Sequence, residues 1–71
     1  MDREELTDLI RKGPILVRMN DGHEYQIEGP EFATVSDISA AVLYRASDGK
    51  FRHIHLPLVT MSGVELLNTD A

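Results

Sequence analysis

The chain has 71 residues, no cysteine and a formal net charge of −5. That length allows one small domain with a modest core, and the missing thiols exclude disulfides and cysteine-based zinc sites. The acidic balance opposes sequence-independent attraction to nucleic acid or anionic lipid, and no apolar run reaches membrane-spanning length.

The opening Asp-Arg-Glu-Glu is unlike a secretory signal, which with the absence of cysteine sets a cytoplasmic expectation. Residues 2–12 read as a short helix with Leu6, Leu9 and Ile10 on one stripe. Asp2 is placed to cap it, with Glu5 as the reciprocal partner three residues on. Acidic residues fill the first turn, Arg11 and Lys12 the last, and Gly13-Pro14 stops it. A helix this short must dock on something to persist.

Residues 15–19 and 23–28 read as a β-hairpin around Asn20-Asp21-Gly22. Cross-strand partners share a face, so the apolar sets must oppose one another. A two-residue turn would pair Val17 with Gln26 and mix the faces. A three-residue loop pairs Met19 with His23, Val17 with Tyr25 and Ile15 with Ile27, with Gly22 left-handed. Glu28-Gly29-Pro30-Glu31 is a break, and Phe32 to Val35 reads at most as a short extended piece.

Residues 38–46 form the next expected strand, with Ile38, Ala40, Val42 and Tyr44 on the inward face. Ser47-Asp48-Gly49 repeats the three-residue turn, with Gly49 left-handed. It pairs this strand with residues 51–56, setting Val42 against Ile54 and Ala40 against Leu56. Pro57 ends that strand. A final strand runs through about 61–66, with a bulge at Gly63, and Asn68 to Ala71 is a frayed tail. A helix followed by about five short strands implies one all-β domain over residues 1–71. Tight turns in so short a chain favour a closed or nearly closed five-stranded barrel.

The helix, the Val17-x-Met19 strand and Asn20-Asp21-Gly22 resemble the start of Sm-like proteins, small SH3-like barrels. Asp37 matches an aspartate of that family's first motif. Ser36 stands where an aromatic is usual, and Ala41 where the nucleotide-contacting asparagine belongs. Gly29 to Ala33 is additional sequence, and the family's Ile-Arg-Gly motif is missing. Phe51-Arg52-His53 is similar to an aromatic-basic-histidine step in the bacterial RNA-chaperone branch of the family. The turn, the Pro-Glu-Phe segment and the length also resemble small bacterial proteins, a likeness that carries no function.

His53-x-His55 sets two imidazoles on one strand face, a spacing that metal sites use. His23 is the obvious third ligand, but it shares a face with Tyr25 and Ile27, whereas His53 and His55 lie opposite Ile54 and Leu56. A metal site is therefore the least favoured reading, and no cofactor is expected. The carboxylates fall on the helix, in turns and on the outward face of 23–28, without a converging pair. No serine sits in a nucleophile motif, so no enzyme is expected.

One feature stands out. The second hairpin sets Leu43 opposite His53, Ala41 opposite His55 and Arg45 opposite Phe51, all facing outward. That face is more apolar than a solvated exterior needs. Either Leu43, Phe51, His53 and His55 form an interface, or the helix or the Phe32 segment covers them. The expectation is a non-enzymatic interaction or assembly module that self-associates as a homo-oligomer. An Sm-like RNA-binding protein is the alternative.

Overall fold

A computed structural model describes residues 1–67; the expected frayed tail lies outside them. The chain runs α1 (Arg3–Arg11), β1 (Ile15–Met19), β2 (Glu24–Ile27), β3 (Ala33–Val35), β4 (Ser39–Arg45), β5 (Phe51–Pro57) and β6 (Met61–Leu66). One-turn 3-10 helices at Pro30–Phe32 and Leu58–Thr60 precede β3 and β6.

Both hairpins are built by the same turn. Met19 N–H donates to His23 O at 2.8 Å and Gly22 N–H to Met19 O at 3.0 Å. In the second hairpin Ala46 N–H donates to Lys50 O at 2.8 Å and Gly49 N–H to Ala46 O at 2.9 Å. Gly22 and Gly49 hold φ of +92° and +85°, where a β-carbon is costly. In each loop the aspartate closes the turn, Asp21 accepting from His23 N–H and Asp48 from Lys50 N–H, both at 3.0 Å. The resulting registers set Val17 against Tyr25 and Ile15 against Ile27 in one hairpin. In the other they set Ala40 against Leu56, Val42 against Ile54 and Leu43 against His53.

The expected five-stranded closed barrel is not what forms. Six strands make two three-stranded antiparallel sheets, ordered β2-β1-β6 and β3-β4-β5. The reason lies in the two crossings between sheets. Pro30 has no N–H to give a ladder, and the turn it starts takes the chain out of the first sheet after Ile27. The chain re-enters as β3, the strand beyond the expected five, pairing Ala33, Thr34 and Val35 with Val42, Ala41 and Ala40. Pro57 and the turn at Leu58–Thr60 carry it back to the first sheet. Each crossing interrupts the ladder, so the sheets face one another without closing.

Their shared interior holds Ile15, Val17, Met19, Ile27, Ala40, Val42, Leu56, Leu58 and Met61, all buried. Leu6 and Ile10 of α1 complete it, with Leu9 half-buried beside them. Asp2 precedes the helix in extended conformation, but its side chain caps no N–H; its backbone carbonyl accepts from Leu6 N–H at 3.0 Å instead. Tyr25 and Tyr44 meet edge to face at 4.9 Å where β2 approaches β4, and burial, then Tyr44, pushes the Tyr25 phenol up. The irregularity expected at Gly63 falls one residue earlier: Arg18 pairs with Gly63 and Met19 with Met61, leaving Ser62 as the extra residue.

Ile38 departs from the alternation expected of it. It is 75% exposed, because Ser36 and Ser39 close a tight turn around it. Ser36 N–H donates to Ser39 O at 2.8 Å and Ser39 N–H to Ser36 Oγ at 3.2 Å, so β4 begins only at Ser39. Leu58 takes the core position instead, its N–H donating to Ile38 O at 2.9 Å. No helix among the described residues is long and apolar enough to cross a membrane.

Candidate surface on the second sheet

The turn at Gly49 fixes which side chains of β4 and β5 face away from the core. Ala41, Leu43 and Arg45 of β4 stand opposite His55, His53 and Phe51 of β5, and Thr34 of β3 extends the row beside Ala41. Phe51 is 42% exposed, Leu43 is half-buried, and both histidines are exposed. A shallow groove of about 250 Å³ runs across the face, between Glu31 and Phe32 on one side and His53 and His55 on the other.

The coverage foreseen for this face is partial. Helix α1 packs chiefly on β3 and the Pro30–Phe32 turn, away from β5. Phe32 does reach the face, its ring lying parallel to that of Phe51 with centroids 5.5 Å apart. The Arg45 guanidinium sits 5.3 Å from the Phe51 centroid. These contacts hold Phe51 in place while leaving His53, His55 and the outer edge of β5 open.

Charge is unevenly divided. From Ser39 to Val64 the chain holds Arg45, Lys50 and Arg52 but a single acid, Asp48. Asp48 accepts from Arg52 at 2.7 Å. Its carboxyl is held below the ordinary value first by the Lys50 N–H and then by Arg52. The other carboxylates of the described residues lie on or beside the helix, in the first hairpin, in the linking turns and, as Glu65, on β6. On the outer face of the first sheet, Arg18 bridges Glu24 at 2.7 Å and Glu65 at 3.3 Å, a solvated network of small energetic weight.

His23 is exposed in the first hairpin, its Nδ1 3.0 Å from Asp21 Oδ2, and it lies on the other sheet from His53 and His55. Among the described residues no three histidines or carboxylates of one chain gather as metal ligands. Asp37 is exposed and pairs with Arg3 at 2.9 Å. A depression of about 570 Å³ lies between α1 and Asp37. It is an open surface of charged side chains, away from the β4–β5 face.

The chain alone offers the Phe32 segment as a cover for this face, but not the stack of its ring on Phe51. The Pro-Glu-Phe segment has no strand or helix periodicity to place it. No family model matches the chain, no curated protein matches it, and no solved structure matches it.

Proposed function

We propose that the protein is a non-enzymatic interaction module that associates with a second copy of itself through the β5 edge and the outward face beside it. One observation carries this reading. β5 is a seven-residue strand at the outside of its sheet, with Phe51 partly exposed and Leu43 beside His53 on the same face. An open edge of that length is a template for pairing, and the adjoining apolar side chains supply area to bury. Asp21 and Asp48 close turns while Asp37 and Glu24 form surface ion pairs, an arrangement suited to solubility rather than acid–base chemistry. A chain without cysteine fits a cytoplasmic setting.

Light scattering over a concentration series tests the reading. The wild type is expected to gain mass with concentration, and Phe51→Glu to remain a folded monomer. A wild type monomeric under every condition, or a variant that associates as the wild type does, would overturn it.

The cationic bias of the β4–β5 hairpin supports a second reading, an Sm-like RNA binder. Against it, Arg52 is tied to Asp48, the Phe51 ring is engaged by Phe32 and Arg45, and Ala41 stands where that family carries asparagine. The expected outcome is no binding of a uridine-rich RNA at moderate salt. A salt-dependent complex in a fluorescence titration would favour this second reading.

A further inference from the structure

The open edge of β5 brings its histidines into a different light. In an antiparallel ladder, alternate residues direct both backbone polar groups toward the same neighbour. The bonds Ala46 N–H to Lys50 O and Leu58 N–H to Ile38 O bracket the β4–β5 ladder. Stepping by two between them, Arg52, Ile54 and Leu56 bond to β4, while Phe51, His53 and His55 direct N–H and C=O to the open edge. The His53 and His55 side chains rise together on the outward face, opposite Leu43 and Ala41, and both are exposed.

A single chain thus offers two imidazoles about 7 Å apart along the strand. Two ligands do not hold a zinc ion firmly, and His23 lies on the other sheet, beside Asp21. A second copy repairs the deficit. When β5 pairs antiparallel with β5 of another chain about a two-fold axis at Ile54, His53 faces His55 of the second copy, and His55 faces its His53. Directly paired residues lie about 5.5 Å apart, so four imidazoles stand on one face at the corners of a compact patch. Each can lean toward its centre, where an ion takes nitrogen ligands at about 2.0–2.1 Å.

The same register sets Phe51 against Pro57 of the second copy, apolar against apolar. It also leaves Pro57, which lacks an N–H, at the strand end, where a lost bond matters least. A register centred on His53 would instead oppose Phe51 to His55 and separate the ligand pairs, so a bound ion selects the Ile54-centred one. Four neutral nitrogen ligands suit zinc, copper or nickel, and tetrahedral Zn²⁺ fits a set of four.

We propose that His53 and His55 of two copies, paired edge to edge along β5, form a four-imidazole Zn²⁺ site that neither chain completes alone. This rests on the self-association reading above and adds to it a ligand and a symmetry: the contact is isologous.

The test compares the full-length chain in EDTA and with Zn²⁺ by sedimentation velocity, with Co²⁺ as a spectroscopic probe. Zn²⁺ is expected to tighten the dimer at one ion per two chains, and Co²⁺ to give the intense visible bands of a tetrahedral site. His53→Ala and His55→Ala should each remove the metal response while leaving the far-ultraviolet circular dichroism unchanged. His23→Ala should behave as the wild type. Zn²⁺ bound by the monomer, or a response that survives in the His53→Ala/His55→Ala double variant, would overturn the site. A dimer indifferent to EDTA and Zn²⁺ would also overturn the site while leaving self-association standing. A monomer in all conditions would overturn both.

Discussion

Three glycines of this chain offer an unusually clean comparison. A β-carbon added at Gly22, Gly49 or Gly63 meets nothing within 4 Å, so alanine at any of the three creates no steric contact. The sites differ in backbone. Gly22 and Gly49 hold φ of +92° and +85°, whereas Gly63 is not among the residues with positive φ. The cost of Gly22→Ala and Gly49→Ala is therefore conformational alone, on the order of 1–2 kcal/mol each. Gly63→Ala should be neutral or mildly stabilising, because alanine narrows the unfolded ensemble. In a domain of this size, about 1 kcal/mol moves the melting temperature by roughly 4–8 °C. Thermal unfolding followed by far-ultraviolet circular dichroism reads this directly. Gly22→Asn adds a control, since asparagine tolerates the left-handed region and should recover part of the loss. Equal losses at all three glycines, or none at Gly22 and Gly49, would show that the three-residue loops do not depend on left-handed backbone.

Other expectations follow from the same geometry. Leu6→Ala removes the fully buried anchor of α1 and should cost about 2–5 kcal/mol, enough to unfold much of so small a domain, as a denaturant titration would show. Asp21 and Asp48 are both held below the ordinary carboxylate value, each chiefly by the backbone N–H two residues on. A depressed folded value adds stability above the unfolded value, and that stability is lost as pH falls through the folded one. The wild-type melting temperature should therefore drop below about pH 4, and the Asp21→Asn/Asp48→Asn variant should show a shallower drop. Phe51→Glu loses the stack on Phe32 and the contact with Arg45 but no core packing, so it should stay folded while failing to associate.

What the amino-acid sequence determined alone is local. Asn20-Asp21-Gly22 and Ser47-Asp48-Gly49 each specify a loop whose length sets the register of the strands beside it. From that follow the pairing of Val42 with Ile54 and the outward placement of Leu43, Phe51, His53 and His55. Turn chemistry acts over a few residues, which is why it can be read from them. The helix stripe of Leu6, Leu9 and Ile10 is legible for the same reason, since its period lies within the segment. Asp2 shows the limit of such reading: the residue type suits a cap, but its side chain makes none.

The tertiary structure decided the rest. β3 has three residues, too few to show a period, and is a strand only because β4 lies beside it. Whether Ile38 or Leu58 fills the core depended on where the Ser36–Ser39 turn ends, and on a hydrogen bond between residues 20 positions apart. Closure into a barrel, or its failure, turned on how the chain crosses between sheets at Pro30 and Pro57, since a ladder must be continuous around a barrel to close it. Which edge of β5 stays open was settled by the same crossings. They place β4 on one side of the strand and leave its other side, with the backbone of His53 and His55, unpaired.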